Sequence, residues 1–495
     1  MRKFLWMVAV GALVLAVAAP AMALDFKFGS EYRVRFYNAE GLGFGDRDGA
    51  QGSHPRGAQL RVRPRFDTSD DNGNITATLR LEIGDIEFGN GGGAHGVTNG
   101  PFITSTFVTP GSARVGNGSG GSLGNDGVNV ETKWAYIDFA MPWGAPLRVR
   151  AGIQPWFTPK AILVDDDVIG VRAYGEVKPI SYEVAWYRSS GGPITTAVPS
   201  GAAGQSATSN LFDNNYDFYQ FRTDVAVAPW FNPGLYYIFG RNATNCTPTP
   251  CPPANRVRES HYVGLTTTGK LGTVSYDLDF VYGYADGGPA GTFGTSTGNL
   301  GPRTVAGFAL DGGVHFPVGP VTVSLVAAYG SGDTQTNQTK SSAMPTISPS
   351  WNGAGGLYEM IGSGGPFDAV EYTQDWPVNI WMIGTVFEYR PVKPLYTKLA
   401  WGYAGFAKKA GNCADTRFGS AGFTGPNVVP TCFGPAYLGR PDKPLAGKSG
   451  LGNEFSLFAA YDLWTGFKVQ GELGWLIPLR GDIAQEYVLQ LYYNF

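Results

Sequence analysis

The connections between predicted strands constrain the fold of this chain more than any other feature. About eighteen segments, most of them about ten residues long, alternate apolar with polar residues, which is typical of β-strands. Short and long connections between these segments follow each other in regular alternation. The short ones include 68–73, 178–179, 269–272 and 463–465, and the long ones include 38–56, 87–128, 331–377 and 407–451. This regularity predicts an all-β antiparallel barrel with tight turns at one end and long loops at the other.

An even strand number follows from the same reading. The predicted strands are 26–37, 57–67, 74–86, 129–140, 146–154, 167–177, 180–189, 216–227, 234–241, 257–268, 273–284, 303–315, 321–330, 378–389, 395–406, 452–462, 466–477 and 485–495. An even number of antiparallel strands places both chain ends at the same end of a barrel, beside the tight turns.

Composition excludes several other classes. The 495 residues include 71 glycines and 14% aromatic residues, and only 16% are charged. Beyond the first residues, no apolar run is long enough for a membrane helix, and apolar residues at helical spacing are scarce. No composition shift marks a linker. The formal net charge of −3 gives no indication of nucleic-acid binding.

The N-terminus has the pattern of a secretory signal peptide. Arg2 and Lys3 precede the apolar stretch 4–19, and Ala21-Met22-Ala23 fits a cleavage site. A retained membrane anchor is the alternative, and the missing basic flank disfavours it. We therefore predict a signal peptide over 1–23 and a single barrel domain over 24–495.

The last predicted strand has one apolar face. This face consists of every second residue of the strand, and all five are apolar or aromatic: Tyr487, Leu489, Leu491, Tyr493 and Phe495. The other face carries Glu486, Val488, Gln490, Tyr492 and Asn494 and is mostly polar. A barrel strand with lipid outside and water inside has this pattern.

Aromatic residues cluster at the predicted strand ends, as in the aromatic girdles of membrane barrels. The turn-side set is Trp143, Trp230, Phe316 and Trp464, and the loop-side set is Trp156, Trp186, Tyr284, Tyr329, Trp376 and Trp475. The alternative is that these side chains form the core of a soluble β-protein. The signal peptide, the turns and the terminal strand together favour the girdle.

These features resemble the outer-membrane porins of Gram-negative bacteria. The resemblance rests on Tyr493-x-Phe495 with Leu489 and Leu491, which in that family form the signal read by the barrel-assembly machinery. The strand number resembles the substrate-selective porins and the alginate-export barrel. The resemblance implies a multi-pass barrel in the cell outer membrane, surrounded by lipid and lipopolysaccharide and without a cofactor. A homotrimer is the expectation that the family adds.

Strand parity assigns nine arginines to the barrel interior, because each alternates with apolar neighbours that suit lipid. They are Arg33, Arg35, Arg61, Arg63, Arg65, Arg80, Arg148, Arg150 and Arg172. The same reading places Tyr136 and Asp138 inside. It places carboxylates on the far wall: Asp277, Asp279, Glu388, Glu454 and Glu472. Two interpretations stay open: arginines that tune the pore for anions, or arginines and acids that pair and keep the barrel hydrated.

One long connection is apolar enough to pack inside the barrel. Residues 155–166 contain Lys160, Asp165 and Asp166, and Asp167 follows directly. In the porin family the third loop often folds inward, so we expect this connection to narrow the pore. The aspartates could hold a divalent cation, pair with interior arginines or form a solvated acidic loop.

No motif supports catalysis. Residues 116–121 fit a dinucleotide-binding pattern but lie in a Gly/Ser-rich loop without a flanking strand and helix. A barrel enzyme would need a Ser/His or Asp/His cluster, whereas His54, His95, His261 and His315 are scattered along the sequence.

The sequence therefore predicts a channel for passive diffusion of small hydrophilic solutes, with a preference for anions and no enzymatic activity. The alternative is an export channel for an anionic polysaccharide such as alginate.

We expect two disulfides, Cys246–Cys251 and Cys413–Cys432, because each pair is close in sequence and the chain carries an export signal. Pairing between the two loops stays open. Mass spectrometry of the non-reduced protein should detect peptides joined within each pair. Free thiols at all four positions would contradict the prediction.

Overall fold

A computed structural model of the chain describes most of the predicted strands and a few connections. The described residues are 25–40, 56–88, 130–142, 144–188, 216–242, 257–287, 303–332, 340–347, 351, 377, 379–408, 450–479 and 483–495. The predicted signal peptide and all four cysteines lie outside these residues.

The described chain forms a closed antiparallel barrel of eighteen strands, as predicted. The strands are β1 Asp25–Glu40, β2 Arg56–Ser69, β3 Ile75–Glu87, β4 Val130–Ala140, β5 Leu147–Phe157, β6 Asp165–Val177, β7 Ile180–Arg188, β8 Tyr216–Val225, β9 Asn232–Asn242, β10 Val257–Leu271, β11 Val274–Gly287, β12 Arg303–Val318, β13 Val321–Gly330, β15 Ile380–Val392, β16 Leu395–Gly405, β17 Gly450–Trp464, β18 Phe467–Pro478 and β19 Ala484–Asn494. A two-residue strand, β14 Lys340–Ser341, pairs in parallel with the start of β12 and is not part of the wall.

The strand prediction is confirmed. Each predicted segment corresponds to one barrel strand, with ends that agree to within about three residues. The prediction missed β14, which is too short to show a periodic pattern. The described residues also contain one short 3-10 turn, Pro159–Ala161. Among them, no helix has the length and apolar character needed to span a membrane.

The two faces of the sheet differ as the alternation predicts. Outward side chains such as Leu265, Leu325 and Leu399 are about half exposed, whereas inward neighbours such as Ile238 and Met382 are buried. The barrel therefore has an apolar outer surface. In water such a surface would be unfavourable, at roughly 25 cal/mol per Å² of apolar area, and in lipid it is not.

The last strand closes the barrel. β19 pairs with β1 in antiparallel register, with Tyr493 opposite Tyr32. Ser30 and Phe495 exchange two backbone hydrogen bonds of 3.0 and 3.2 Å. The Phe495 ring lies 5.8 Å from that of Phe28 and 5.2 Å from that of Tyr493. Gly29 permits this close approach, since a Cβ there would lie 2.7 Å from the Phe495 carbonyl oxygen.

The aromatic girdle is only partly as predicted. On the turn side, Trp230 and Trp464 are exposed, with Trp464 at 71%. Trp156 was assigned to the loop-side girdle, and that assignment is wrong. Its side chain is 3% exposed and packs inside the barrel, because it shares the inward parity of Arg148 and Arg150 on β5, which stays paired with β6 as far as Phe157. Trp143 and Trp376 lie outside the described residues.

Deleting Phe495 should impair assembly, because the deletion removes both a ladder pair and the aromatic contacts where the barrel closes. We expect a severalfold lower amount of heat-modifiable protein in outer-membrane fractions, measured by gel mobility with and without boiling. Phe495→Tyr keeps the ring and is the matched control. Equal amounts of folded deletion variant and wild type would contradict this account.

Candidate functional site: the barrel interior

The connection between β5 and β6 lies inside the barrel. Its residues Ile162, Leu163 and Val164 are almost completely buried, with Leu163 at 0% exposure. Thr158 shapes this loop, because its hydroxyl accepts hydrogen bonds from the backbone N–H groups of Leu163 (3.1 Å) and Val164 (3.2 Å). The structure thus puts the predicted constriction loop in the interior.

A second segment lies beside the first. Ala343, Met344, Ile347 and Trp351 are also buried, and the Ile347 N–H donates a 3.0 Å hydrogen bond to the Leu163 carbonyl. We call 158–164 and 343–347 with Trp351 the infolded segments. The second infolded segment was not predicted from the sequence. Its signal was an apolar run, 343–347, within a connection otherwise rich in glycine and serine.

The infolded segments cover an apolar part of the inner wall. The inward residues Tyr187, Phe218, Ile238, Tyr262 and Val281 are all buried and belong to one cluster with the infolded segments. Apolar side chains facing water inside a barrel would be unfavourable. Burying such a side chain is worth about 1.5–3 kcal/mol, so the covered wall holds the segments in place.

Trp156 joins the loop to this wall. Its ring stacks on Tyr187 at 4.7 Å and lies 5.1 Å from Phe218. Its indole N–H donates a 2.8 Å hydrogen bond to the Gln220 side chain, so its one polar group is satisfied although the residue is buried.

Lys160 anchors the loop to the opposite strands. Its ammonium group pairs with Asp277 on β11 and lies 2.6 Å from Asp311 on β12 and 3.6 Å from Asp279. Burial lowers the pKa of Lys160, but the Asp311 and Asp277 carboxylates outweigh burial, so the pKa is raised and the side chain stays charged.

The backbone of this loop is unusual. Lys160 and Ala161 both have positive φ, at 53° and 55°, a conformation that side-chain-bearing residues rarely adopt. Such residues cost on the order of 1–3 kcal/mol each and persist where surrounding contacts impose them. The ion pairs of Lys160 and the burial of Leu163 are those contacts.

Asp311 binds both infolded segments. One carboxylate oxygen accepts from Lys160, and the other accepts a 2.9 Å hydrogen bond from the Trp351 indole. The residue is 1% exposed. Asp311 was not predicted as a site residue, although it lies in a predicted strand and shares the inward parity of His315.

A histidine extends this network along the wall. His315 Nε2 lies 2.7 Å from Asp277 Oδ1, and its Nδ1 lies 2.8 Å from Ser324 Oγ. This order of groups resembles an acyl-transfer triad. However, Lys160 also pairs with Asp277, and Ser324 is 3% exposed, so neither group is placed as such a reaction requires.

The predicted interior arginines form a network with carboxylates on β1–β7. Seven guanidinium groups share five carboxylates, which leaves positive charge in excess within these ion pairs. The pairs are Arg61, Arg63 and Arg80 with Glu31, Arg63 with Glu82, Arg65 with Asp67, Arg148 and Arg150 with Asp138, and Arg172 with Glu183. Arg35 donates to Gln490, and Arg33 faces inward beside it in the sequence. We call the nine arginines the arginine wall.

Aromatic rings lie between these arginines. The Arg80 guanidinium lies 4.5 Å from the centre of the Trp134 ring, and that of Arg150 lies 4.3 Å from the Tyr136 ring. The Arg172 guanidinium lies 4.6 Å from the Tyr174 ring, and the Tyr174 hydroxyl donates to Asp138. Ion pairs and rings together fix the positions of the charges.

The other predicted carboxylates are spread around the barrel rather than gathered on a far wall. Glu388 accepts from the Tyr396 hydroxyl, and Glu454 is buried beside Ser456. Glu472 lies on β18, which only β19 separates from β1. The picture of two separated walls therefore fits Asp277 and Asp279 but not Glu454 or Glu472.

The aspartates after the loop have separate roles. Asp167 pairs with Lys133 at 2.7 Å and accepts from the Trp134 indole at 2.8 Å, whereas Asp165 and Asp166 are exposed. In the part of the chain that the structure describes, no group of three or more metal-ligating side chains is found.

Several solved structures of outer-membrane porins share this fold. The chain is similar to Pseudomonas aeruginosa OccK8 (OprE), with 12% sequence identity, a TM-score of 0.51 and coverage of 95% of this chain and 98% of that one. A BenF-like porin from Pseudomonas fluorescens Pf-5 gives 11% identity, a TM-score of 0.51 and the same coverage. The structure of Pseudomonas aeruginosa OpdK with vanillate gives 9% identity, again with a TM-score of 0.51 and the same coverage.

At these identities the likeness shows a shared fold, that of the eighteen-stranded outer-membrane barrels. No protein-family model matches the chain, and a comparison with curated proteins finds no match.

Leu163→Ala should loosen the infolded loop and leave the barrel intact. Removing a fully buried leucine side chain costs about 2–5 kcal/mol, and here the cost falls on loop packing. We expect faster trypsin cleavage after Lys160, followed by mass spectrometry of the fragments. Leu399→Ala, on the outer face, is the matched control. An unchanged cleavage rate in Leu163→Ala would contradict the packed position of the loop.

Proposed function

We propose that this protein is an outer-membrane channel for passive diffusion of small hydrophilic solutes, with a preference for organic anions. The observation that carries the proposal is the arginine wall. It lines strands whose inner face is polar, while the infolded segments pack on the apolar strands across the barrel.

An outer-membrane position is supported by three features. The barrel has an apolar outer surface, it shares its fold with outer-membrane porins, and aromatic side chains such as Phe28 and Phe495 pack at the closing seam. We extend the proposal to the partners that such a position implies: surrounding lipid and lipopolysaccharide, the barrel-assembly machinery and a homotrimeric assembly.

Anion preference follows from charge and geometry. Arginine stays protonated at any relevant pH, and its planar fork suits carboxylate oxygens. Two carboxylates of the wall, Glu31 and Asp138, each pair with more than one guanidinium, so they hold the arginines in place without balancing them. The remaining positive potential should concentrate anions inside the barrel and weaken as salt screens it.

The infolded segments favour small solutes over a polymer. An exported polysaccharide such as alginate needs a wide continuous path, whereas two buried segments occupy part of this interior. For this reason we place polysaccharide export second.

A small carboxylate with an aromatic ring is the solute class to test first. Trp134, Tyr136 and Tyr174 lie among the arginines, so a ring and a carboxylate could be bound together. Vanillate, an aromatic carboxylate, is present in the structure of OpdK, and this is an observation about OpdK only.

Charge substitutions in the arginine wall should change ion selectivity in opposite directions. The variant Arg61→Gln/Arg63→Gln/Arg80→Gln removes the cations around Glu31 and Glu82, and we expect its preference to shift toward cations. Glu31→Gln should shift it further toward anions. Reversal potentials across planar bilayers in a salt gradient measure both effects, which should be largest at low salt.

Arg188→Gln is the matched control. Arg188 pairs with Asp217 on the outer face near the loops and should not affect the interior. A reversal potential that is the same in wild type and both interior variants would contradict an anion-selective arginine wall.

A further inference from the structure

We propose that Lys160, Asp277, Asp311 and His315 form a proton-sensitive latch on the infolded segments, which acid loosens. The proposal rests on the channel function proposed above and adds that pH regulates the conductance of this channel.

The latch is one continuous chain of contacts. It runs from Ser324 on β13 through His315 on β12 to Asp277 on β11, and then through Lys160 to Asp311 and Trp351. The chain therefore links three wall strands to both infolded segments. Asp311 is the point where the two segments share one carboxylate.

The hydrogen bonds of His315 accommodate both the neutral and the charged ring. A carboxylate only accepts, so Nε2 donates to Asp277, and in the neutral ring Nδ1 accepts from the Ser324 hydroxyl. Histidine is the side chain suited to changing charge near neutral pH. A second proton on the ring would turn the Ser324 hydroxyl into the acceptor and place a positive charge beside Asp277.

The direction of the effect follows from Coulomb attraction. A charged His315 competes with Lys160 for Asp277, and the two cations also repel each other. Protonation of any of the three aspartates would likewise reduce the attraction for Lys160. Both changes weaken the attraction between Lys160 and the aspartates of the wall, so a lower pH loosens the loop in either case.

The charged surroundings of His315 are compatible with this direction. Asp277 and Asp279 on β11 and Asp311 on its own strand face the same region, with Lys160 from the loop. On β13 the neighbour is Ser324, and that strand carries no charged residue.

Two further charged groups lie one strand beyond. Glu388 on β15 lies opposite Thr322 of β13, and Lys270 on β10 lies opposite Ser275 of β11.

Weakening of the latch should let the loop 158–164 fluctuate without leaving the wall completely. The positive φ angles at Lys160 and Ala161 favour departure of the loop once the ion pairs weaken. The buried side chains of Ile162, Leu163 and Val164 still hold it against the wall. A channel narrowed by this loop should therefore switch more often between conductance levels.

The test is single-channel recording in planar bilayers at about pH 8 and about pH 5, at constant salt. Wild type should show severalfold more frequent transitions between levels at the lower pH. Lys160→Met should show frequent transitions at both values. His315→Gln should lose most of the increase. His261→Gln, on the outer face, is the matched control and should behave as wild type.

The outcomes separate the latch from the channel. Wild-type channels that conduct but show equal transition rates at both pH values would overturn the latch. A His315→Gln variant that keeps the full increase in transition rate at low pH would do the same. Both results leave the channel function standing. If His315→Gln does not assemble, a pH effect of wild-type size in Lys160→Met would overturn the latch. Folded wild-type protein without any conductance would instead contradict the proposed function.

Discussion

The hydrogen-bonded ladder between β1 and β19 is the constraint on which the rest of the structure depends. A sheet of this size with open edges would leave backbone groups unpaired, and in lipid each such group costs several kcal/mol. Closure removes the edges and divides every strand into an outer and an inner face. The apolar half of each alternating strand must then face outward, and charges and hydrogen-bonding groups must face inward.

The interior meets this constraint in two ways. On β1–β7, charged side chains neutralise one another in part, and guanidinium groups share carboxylates such as Glu31 and Asp138. On β7–β13, much of the inner face is apolar, and chain segments from two connections cover it. One side of the interior is thus charged and the other is packed. The cluster of Lys160 with three aspartates holds the packed side together.

Local patterns were enough to predict the barrel from the sequence, because a period of two and a turn are both local features. The inward positions of Arg63, Arg150 and Asp277 followed from the same period. Contacts that depend on closure could not be predicted: Glu472 is close to β1 only because β19 joins both strands. Trp156 resembled a girdle residue in sequence although it shares the inward parity of Arg150, and its burial depends on contacts with Tyr187 and Phe218. Asp311 shared the inward parity, but its importance depends on Trp351 and Lys160, which are distant in sequence.

The central claim is that solutes pass along the arginine wall while the opposite wall is covered. Labelling of single cysteines with a charged, water-soluble thiol reagent tests it most directly, with the unmodified protein as background control. We predict fast labelling at Arg61→Cys and Arg150→Cys, and little labelling at Ile238→Cys and Val281→Cys, which the packed cluster buries. Equal labelling on both sides, or faster labelling at positions 238 and 281, would contradict the account.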